Sequence, residues 1–246
     1  MDRQLISRLA HRHHPIAAPL SDESVRLLLD RALPEDGGTV LDLGCGEGAW
    51  LLRALSARPE LTAVGVDLDA HGLAKAREGA ETLGLTRRIG LHHRDAQGYT
   101  AREPFSTVLS VGATHAFGGL AGTLAAIRPL LAADGTAVVG DAYWRSEPGP
   151  EAVEILGEGY TDLAGTVDRV VADGWTPVFG HTSTERELDA YEWDWTGSLS
   201  AWALDNPGHP DRAEALRVAA EHRGEWLRGY RGVFGFVTLV LRRTEG

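Results

Sequence analysis

Short apolar runs alternate with helix-forming segments through the middle of the chain. Runs rich in Val, Leu and Ala predict strands at 39–43, 62–67, 88–93, 106–111 and 136–141. Helices are expected between them at 47–57, 70–84 and 119–133. Strands that are apolar on both faces and alternate with helices are typical of a parallel sheet covered on both sides. This part of the chain therefore predicts an α/β fold.

The two ends of the chain have less regular patterns. Residues 1 to about 33 predict two short helices that separate near Pro15 and Pro19, with Ser21 as the N-cap of the second. Beyond residue 144, helices are expected within 145–173 and at 185–204 and 211–230, and strands at 175–181 and 233–241. We therefore expect the 246 residues to form a single domain, with a helical lid at 1–33 and a helical cap at about 145–230.

Composition and charge narrow the class of protein. Hydrophobic residues make up 43% of the 246 positions, which is enough for one core of ordinary size. A net charge of −11 argues against nucleic acid as a partner, because binding to phosphates needs a basic surface. The sequence has no run of about 18 apolar residues, so no membrane-spanning helix is predicted. The N-terminus lacks the apolar stretch of a signal peptide and Cys45 is the single cysteine, so we expect a cytoplasmic protein.

The most informative stretch joins the strand at 39–43 to the helix that follows it. Asp42 lies at the end of the strand, and glycines follow at positions 44, 46 and 48. Glycine allows a sharp turn with positive φ and lets a ligand approach the backbone closely. The free N–H groups at the start of the next helix point toward such a ligand. The stretch therefore predicts a nucleotide-like binding site at the carboxyl end of the strand.

Two interpretations fit the spacing of these glycines. Gly44, Gly46 and Ala49 match the dinucleotide fingerprint, and Asp67 lies near the distance expected for an acid that binds ribose. In the alternative, Asp42 is read together with the three glycines as an acid followed by G-x-G-x-G. That pattern resembles the first motif of class I S-adenosylmethionine-dependent methyltransferases.

Further acids follow in the order in which that family has them. Asp67 ends the second strand, where the family has its ribose-binding acid, and Asp95 follows the third strand, where the family has an acid near the adenine amine. Asp134-Gly135 resembles the family's turn before strand five, and Gly174-Trp175 opens a segment that resembles its antiparallel last pair of strands. The resemblance covers about residues 35–145 and 170–242, and the order of its motifs favours the methyltransferase interpretation.

The resemblance implies a fold, a cofactor and a set of residues that bind it. The fold is an α/β, seven-stranded, Rossmann-like methyltransferase sheet, mostly parallel with an antiparallel last strand, plus a helical cap. The expected cofactor is S-adenosyl-L-methionine, and the expected product is S-adenosyl-L-homocysteine. The residues expected at the cofactor are Asp42, Gly44, Cys45, Gly46, Gly48, Asp67, Leu68, Asp95, Ala96 and Val111.

The chemistry of the cofactor explains several of these residue types. One carboxylate can accept from both vicinal hydroxyls of a ribose, which suits Asp67. Leu68 can pack on the adenine face, and the backbone N–H of Ala96 can donate to a ring nitrogen. Asp42 either orders the glycine turn, caps its N–H groups, or reaches the methionine amine through water. Cys45 sits between two glycines, where we expect it to fill space and not to act as a nucleophile.

Candidates for catalysis follow the fourth and fifth strands. Methyl transfer from a sulfonium is an in-line displacement, so the enzyme supplies alignment and, where the acceptor carries a proton, a base. His115 lies in the loop after strand four and is expected to contact the acceptor or take its proton. Its alternative role is a hydrogen bond to the next helix or a contact with the cofactor. Tyr143 is expected to join it in catalysis, and Trp144 to bind the acceptor.

The same loops argue against two kinds of enzyme. Family members that methylate exocyclic amines of DNA bases or glutamine side chains have an (Asn/Asp)-Pro-Pro-Tyr run after strand four. Residues 110–113 read Ser-Val-Gly-Ala, so that subclass is not expected. Asp141 resembles a metal-binding position of catechol-type members, but the accompanying ligands are not evident, and we predict no metal.

Aromatic residues of the cap are candidates for binding the methyl acceptor. Tyr191 and Trp195 fall on one face of the predicted helix at 185–204, with Trp202 further along it. With Tyr230 and His14, they predict a site for a flat or cationic small molecule; ordinary packing of the cap is the alternative. We expect the His11–His14 tract to form a solvated face and not a metal site.

The sequence thus favours a metal-independent methyltransferase acting on a small molecule. A non-catalytic S-adenosylmethionine-binding protein on the same fold is the main alternative, and an NAD-dependent oxidoreductase is a further one. The sequence does not predict the acceptor, the methylated atom or the oligomeric state.

Overall fold

The computed structural model describes residue 1 and residues 3–14 and 16–245. Pro15, one of the two prolines expected to separate the first helices, lies outside the described residues. The helices are α1 (Arg3–Ala10), α2 (Asp22–Ala32), α3 (Ala49–Ala57), α4 (Ala70–Thr82), α5 (Leu120–Ile127), α6 (Pro150–Leu156), α7 (Leu163–Ala172), α8 (Glu185–Asp205) and α9 (Arg212–Glu225). The strands are β1 (Gly38–Leu43), β2 (Leu61–Asp67), β3 (Ile89–His93), β4 (Phe105–Val111), β5 (Leu131–Trp144), β6 (Trp175–Thr182) and β7 (Phe234–Arg243).

These strands form one seven-stranded sheet in the order β3-β2-β1-β4-β5-β7-β6. The pairs β1–β2, β1–β4, β2–β3 and β4–β5 are parallel, and β6 pairs with β7 in the antiparallel sense. The expected mostly parallel sheet with an antiparallel end is therefore confirmed. In a dinucleotide-binding sheet of order 3-2-1-4-5-6, strand six lies next to strand five. Here β7 occupies that place, which separates this sheet from the nicotinamide-binding arrangement.

Fully buried apolar side chains explain why β1 lies in the interior of the sheet. Val40, Leu41 and Leu43 are fully buried on β1, as are Leu109 on β4 and Val138 on β5. Strands buried on both faces carry near-continuous apolar runs, which is the pattern that predicted them. The carboxyl ends of β1, β2 and β4 are thereby held along one edge of the sheet.

The main error in the expected elements lies between β4 and β5. A helix was expected at 119–133, but α5 ends at Ile127 and a single 3₁₀ turn follows at Arg128–Leu130. Pro129 lies in that turn, and a proline cannot donate the backbone hydrogen bond that continues a helix. β5 then starts at Leu131, five residues earlier than expected, and runs through Trp144.

The chain forms two units, which we call the helical unit and the sheet unit. The helical unit comprises Met1–Leu20, Ala142–Leu163 and Ser183–Phe236. The sheet unit comprises Ser21–Asp141, Ala164–Thr182 and Val237–Gly246. α2, which the sequence grouped with an N-terminal lid, lies in the sheet unit, where Thr107 donates from Oγ1 to the carbonyl of Ala32 at 3.1 Å. The predicted Ser21 N-cap accepts from the backbone N–H of Ser24.

Within the helical unit, α8 is the longest element and carries the aromatic residues Tyr191, Trp193, Trp195 and Trp202. Thr184 and Glu187 form a reciprocal capping box at its start, which fixes where the helix begins. α8 packs on α9 through Leu199, Ala203, Ala215 and Ala219, all fully buried. α9 ends in a π turn at Trp226–Tyr230, closed by a bond from the Arg231 N–H to the Trp226 carbonyl at 2.8 Å. No helix among the described residues has the length and apolar character needed to span a membrane.

Candidate functional site

The glycine turn after β1 has the backbone conformation that its sequence predicted. Gly44 and Gly46 have φ values of +87° and +50°, in the region that favours glycine. A Cβ atom at Gly44 would lie 2.6 Å from the Cβ of Ala113, so no larger residue fits. A Cβ atom at Gly46 would meet no atom within 4 Å. The turn is therefore closed by protein at Gly44 and open at Gly46.

Asp67, at the end of β2, is tied directly to this turn. Its Oδ2 accepts from the N–H of Gly46 at 2.7 Å, and its Oδ1 accepts from the N–H of Asp69 at 2.7 Å. Each carboxylate oxygen has more than one acceptor direction, so both remain able to accept from a hydroxyl group. The carboxylate thus orders the turn and offers acceptors at the place where a ribose is expected.

Asp42 is buried beneath the glycine turn. The backbone N–H groups of Gly44 and Cys45 donate to the carbonyl of Val66 at 2.9 and 3.1 Å, so these two groups are not capped by Asp42. Burial, with a further contribution from the charge of Asp67, raises the pKa of Asp42 to about 8. The structure therefore favours a neutral Asp42 carboxyl at neutral pH in the absence of a nearby cation.

Cys45 packs into the sheet. The buried thiol lies against the backbone of Gly65, where an added Cβ would approach Sγ to 2.7 Å. Burial and the nearby carboxyls of Asp42 and Asp67 raise the pKa of this thiol far above its usual range. Since the thiolate is the nucleophilic form, the geometry fits a space-filling role.

The loop after β3 adds polar groups on the same edge of the sheet. The exposed Asp95 accepts from the N–H of Gln97 at 2.9 Å, and Ala96 is buried. Gln97 then donates from its side-chain amide to the carbonyl of Ala116. Leu68 is 61% exposed although it is apolar, which suits a residue that packs on a bound ring. Gln97 was not predicted, because no spacing in the sequence relates it to a loop nineteen residues later.

The turn after β4 is joined to β5 by a side-chain hydrogen bond that the sequence did not predict. Thr114 donates from Oγ1 to Oδ1 of Asp141 at 2.9 Å. Val111 is buried at the end of β4, and His115 is exposed in the 3₁₀ turn Thr114–Phe117. No group of three or more His, Cys, Asp or Glu side chains suited to a metal is found among the described residues.

Two predicted residues, Tyr143 and Trp144, end β5 within the helical unit, and both are buried. The ring of Tyr143 lies against the backbone of Gly235, so closely that no Cβ would fit there. Trp144 packs in a cluster with Ala152, Trp226 and Tyr230. The structure thus places both residues in the packed interior of the helical unit, and their roles at an acceptor stay predictions.

Two histidines of the N-terminal tract are bound to α8. His11 donates from Nδ1 to the carbonyl of Ser7 at 2.8 Å, and its Nε2 accepts from the hydroxyl of Tyr191 at 2.9 Å. Burial lowers the pKa of His11 and raises that of Tyr191, which keeps the hydroxyl as the donor. His14 lies 3.1 Å from a carboxylate oxygen of Asp194. The expectation of a solvated face is therefore wrong for His11 and His14, because α8 supplies partners that the local sequence does not contain.

A second set of contacts links α8 with the end of α9. Glu192 is buried, and its two oxygens accept from His222 Nε2 and from the hydroxyl of Tyr230, each at 2.8 Å. The ring of His222 stacks on Trp195 with centroids 4.0 Å apart. His222 was not predicted as a site residue. Its sequence neighbours are ordinary helix formers, and only the packing of α9 on α8 brings it to Glu192.

Comparisons with known proteins agree with this architecture. A family model described as a methyltransferase domain matches residues 34–176. The chain is 29% identical over 251 residues to the protein YjhP of Escherichia coli K12, covering 98% of this chain and 100% of that protein. The X-ray structure of YjhP matches with a TM-score of 0.89, 27% identity and coverage of 97% of this chain and 99% of that one.

Two further solved structures match over nearly their whole length. One is a SAM-dependent methyltransferase of Geobacter sulfurreducens in complex with S-adenosyl-L-homocysteine, with a TM-score of 0.89, 25% identity and coverage of 97% of this chain and 98% of that one. The other is a SAM-dependent methyltransferase of Thiobacillus denitrificans, also with S-adenosyl-L-homocysteine. It has a TM-score of 0.90, 25% identity and coverage of 99% of this chain and 100% of that one.

Proposed function

Because the chain belongs to the methyltransferase domain family and has the fold of S-adenosylmethionine-dependent methyltransferases, we propose that it methylates a small molecule without a metal ion. S-Adenosylmethionine is the cofactor, and it supplies a methyl group activated by attachment to a sulfonium. The observation that carries the proposal is the turn at Gly46, which is open to a ligand and is tied to the carboxylate of Asp67.

The sheet unit offers a group for each part of the cofactor. We assign the ribose hydroxyls to Asp67, the adenine face to Leu68, and the adenine edge to Asp95 and the N–H of Ala96. The methionine end is assigned to the open turn at Gly46, with Gly44, Cys45, Gly48 and Val111 shaping its surroundings. A cationic ammonium near the buried carboxyl of Asp42 would favour ionisation of that carboxyl.

The helical unit supports a small-molecule acceptor. It contains the aromatic side chains Tyr191, Trp195 and Tyr230 together with buried polar groups, and such a combination is typical of small-molecule sites. The net charge of −11 disfavours a nucleic acid acceptor. His14 and Trp144 belong to the same proposed acceptor set, while His115 and Tyr143 are proposed to align the acceptor for transfer. A single buried thiol supports a cytoplasmic location.

Two measurements test this function in order. Titration calorimetry with S-adenosylhomocysteine should give saturable binding, and the same titration with NAD should give none. Binding of NAD without a response to S-adenosylhomocysteine would contradict the cofactor assignment. The enzyme is then incubated with S-adenosylmethionine and matched panels of small hydroxyl, amine and thiol compounds, RNA and protein. Mass spectrometry should find one added CH₂ group on a small molecule, and a gain on RNA or protein instead would reject the small-molecule proposal.

A further inference from the structure

The start of α4 packs directly against the backbone of the glycine turn, and Gly72 makes this contact possible. A Cβ atom at Gly72 would lie 3.1 Å from both the carbonyl carbon and the carbonyl oxygen of Gly46. This is closer than the roughly 3.5–4.0 Å at which carbon atoms pack best, so a side chain at position 72 would press on the turn. Gly72 is buried within α4, although glycine is a poor helix former. The close approach of α4 to Gly46 explains why glycine is needed there.

Ala76, one helical turn later, faces the end of the same glycine turn. Its Cβ lies 3.0 Å from the place that a Cβ at Gly48 would take. Residues four apart lie on the same face of a helix, so Gly72 and Ala76 belong to one surface of α4. This surface therefore supports the glycine turn at two points, Gly46 and Gly48.

Hydrogen bonds hold the start of α4 in this position. Asp69 is the N-cap of α4, and its side chain accepts from the N–H of His71 at 3.0 Å. The backbone N–H of Asp69 donates to one oxygen of Asp67, and the other oxygen of Asp67 accepts from the N–H of Gly46. The helix start and the glycine turn are thus bound to the same carboxylate, so their positions are linked.

The carbonyl group of Gly46 faces α4, while the Cβ direction of the same residue is open. A Cβ atom at Gly46 would meet no atom within 4 Å. The backbone that borders this open space is therefore the backbone that α4 supports. A change that pushes the Gly46 carbonyl away from α4 must displace the edge of the open space as well.

We propose that Gly72 is a positioning residue for the methionine end of the cofactor. This inference rests on the proposed function, which assigns that end to the open turn at Gly46. Gly72 does not contact the cofactor; it lets α4 support the Gly46 carbonyl. The ribose and adenine groups are assigned to Asp67 and Leu68 at the end of β2, and these residues do not depend on the contact at Gly72. A disturbance of this contact should therefore act mainly on the methionine end.

Two ligands that differ at the methionine end test this inference by titration calorimetry. 5′-Methylthioadenosine shares the adenine, ribose and sulfur of S-adenosylhomocysteine but lacks its amino-acid end. Gly72→Ala should weaken binding of S-adenosylhomocysteine at least about fivefold and binding of 5′-methylthioadenosine less than about twofold, because the turn is displaced by a few tenths of an ångström. Gly79→Ala is the matched control on α4. Its methyl group would lie 2.7 Å from Cδ1 of Leu52 and not against the turn, so the ratio of the two dissociation constants should not change.

A second pair of variants tests the same support without a clash. Ala76→Gly removes the methyl group that faces Gly48 and should raise the ratio of the two dissociation constants about threefold through a looser turn. Ala74→Gly, at an exposed position of α4, has the same cost in helix propensity and should leave the ratio unchanged. This pair decides the question if Gly72→Ala does not fold.

The amide resonance of Gly46 gives a readout that needs no ligand. In the nitrogen–proton NMR spectrum, Gly72→Ala should shift this resonance and Gly79→Ala should leave it in place, because only the first change reaches the hydrogen bond to Asp67. Equal weakening of both ligands in Gly72→Ala, an unchanged ratio in Ala76→Gly, or an unshifted Gly46 resonance would overturn the inference. Failure of S-adenosylhomocysteine to bind the wild type would instead reject the proposed function.

Discussion

The carboxylate of Asp67 accepts the backbone N–H of Gly46 at 2.7 Å, which joins the end of β2 to the turn after β1. The residue expected to bind the ribose therefore also shapes the turn expected to hold the methionine end. The two parts of the cofactor site are coupled through one side chain. A change at Asp67 should affect both the order of the turn and the affinity for the cofactor.

Replacing Asp67 with Asn should lower both the stability of the protein and its affinity for the cofactor. The amide loses one acceptor and the charge that strengthens both bonds, so the free energy of unfolding should fall by about 1–3 kcal/mol. The dissociation constant of S-adenosylhomocysteine should rise more than about tenfold. Asp36→Asn, at an exposed position before β1, is the matched control for urea unfolding and calorimetry and should change neither. A loss of stability with unchanged affinity would separate Asp67 from the cofactor.

Alanine substitutions at Gly44 and Gly46 should have different consequences. Both force alanine into a positive-φ conformation, at a cost of about 1–2 kcal/mol. Gly44→Ala also clashes with Ala113, which should lower the free energy of unfolding by a further ~1–3 kcal/mol. Gly46→Ala places its methyl group in open space. It should weaken the free energy of S-adenosylhomocysteine binding by more than it lowers the free energy of unfolding.

A double mutant isolates the clash at Gly44. Ala113→Gly removes the opposing methyl group and should recover part of the stability lost in Gly44→Ala, as measured by a urea-unfolding cycle. The same change should give no recovery in the Gly46→Ala background. Equal recovery in both backgrounds would show that Ala113 does not confine Gly44.

The titration of Asp42 should make stability depend on pH in an unusual direction. Its pKa rises from 3.8 to about 8 on folding, so between these values the folded state holds a proton that the unfolded state has lost. The contribution of this group to stability is thus present below about pH 4 and declines as the pH rises toward 8, by at most about 1.4 kcal/mol per unit. Asp42→Asn should gain stability over the wild type across this window in urea unfolding. Parallel pH profiles for the two proteins would contradict the buried neutral carboxyl.

Cys45 should not react with thiol reagents in the folded protein. Its thiol is buried, and its raised pKa keeps the thiolate scarce, so DTNB should modify it only after the protein unfolds. Ser56→Cys, on the exposed face of α3, provides a reactive thiol for comparison in the same chain. Cys45→Ala should bind S-adenosylhomocysteine within a few-fold of the wild type. Fast modification of native Cys45 would contradict the packing against Gly65.

His115 should matter for transfer more than for cofactor binding. Its side chain is exposed, so His115→Ala should leave thermal stability and S-adenosylhomocysteine affinity nearly unchanged. Turnover of an acceptor found by the mass-spectrometric screen should fall at least about tenfold through loss of alignment. His71→Ala, at another exposed histidine of the sheet unit, is the control. Unchanged turnover would remove His115 from the mechanism.

The sequence predicted the sheet unit well because its signals are local. Buried strands such as β1 and β2 carry continuous apolar runs, and the acids that end them follow directly in the chain. The glycines of the turn are required by backbone conformation at their own positions. Each of these features depends on a few neighbouring residues, so a pattern along the chain is enough to find it.

The missed contacts depend on residues far apart in sequence. Glu192 and His222 meet only because α9 packs on α8, and His11, which follows α1, meets Tyr191 only because this part of the chain packs on α8. The end of α5 was misplaced because the apolar run continues past Pro129 into β5, so hydrophobicity alone gave no boundary. Helix packing is a tertiary property that local spacing does not encode, whereas the end of α5 had a local signal in Pro129.

The π turn at the end of α9 sets the direction in which the side chain of Tyr230 points, and this direction depends on the number of residues in the turn. A turn closed by an i to i+5 hydrogen bond holds one more residue than an α-helical turn, and the extra residue precedes Tyr230. Deleting a single residue there would restore the α-helical repeat and rotate the following side chain by roughly 100° about the axis. Tyr230 would then lose Glu192 while α8 and the body of α9 kept their packing. The contacts among Glu192, His222 and Tyr230 are thus sensitive to the length of this segment. An insertion or deletion there would change these contacts while leaving the packing of α8 on α9 in place.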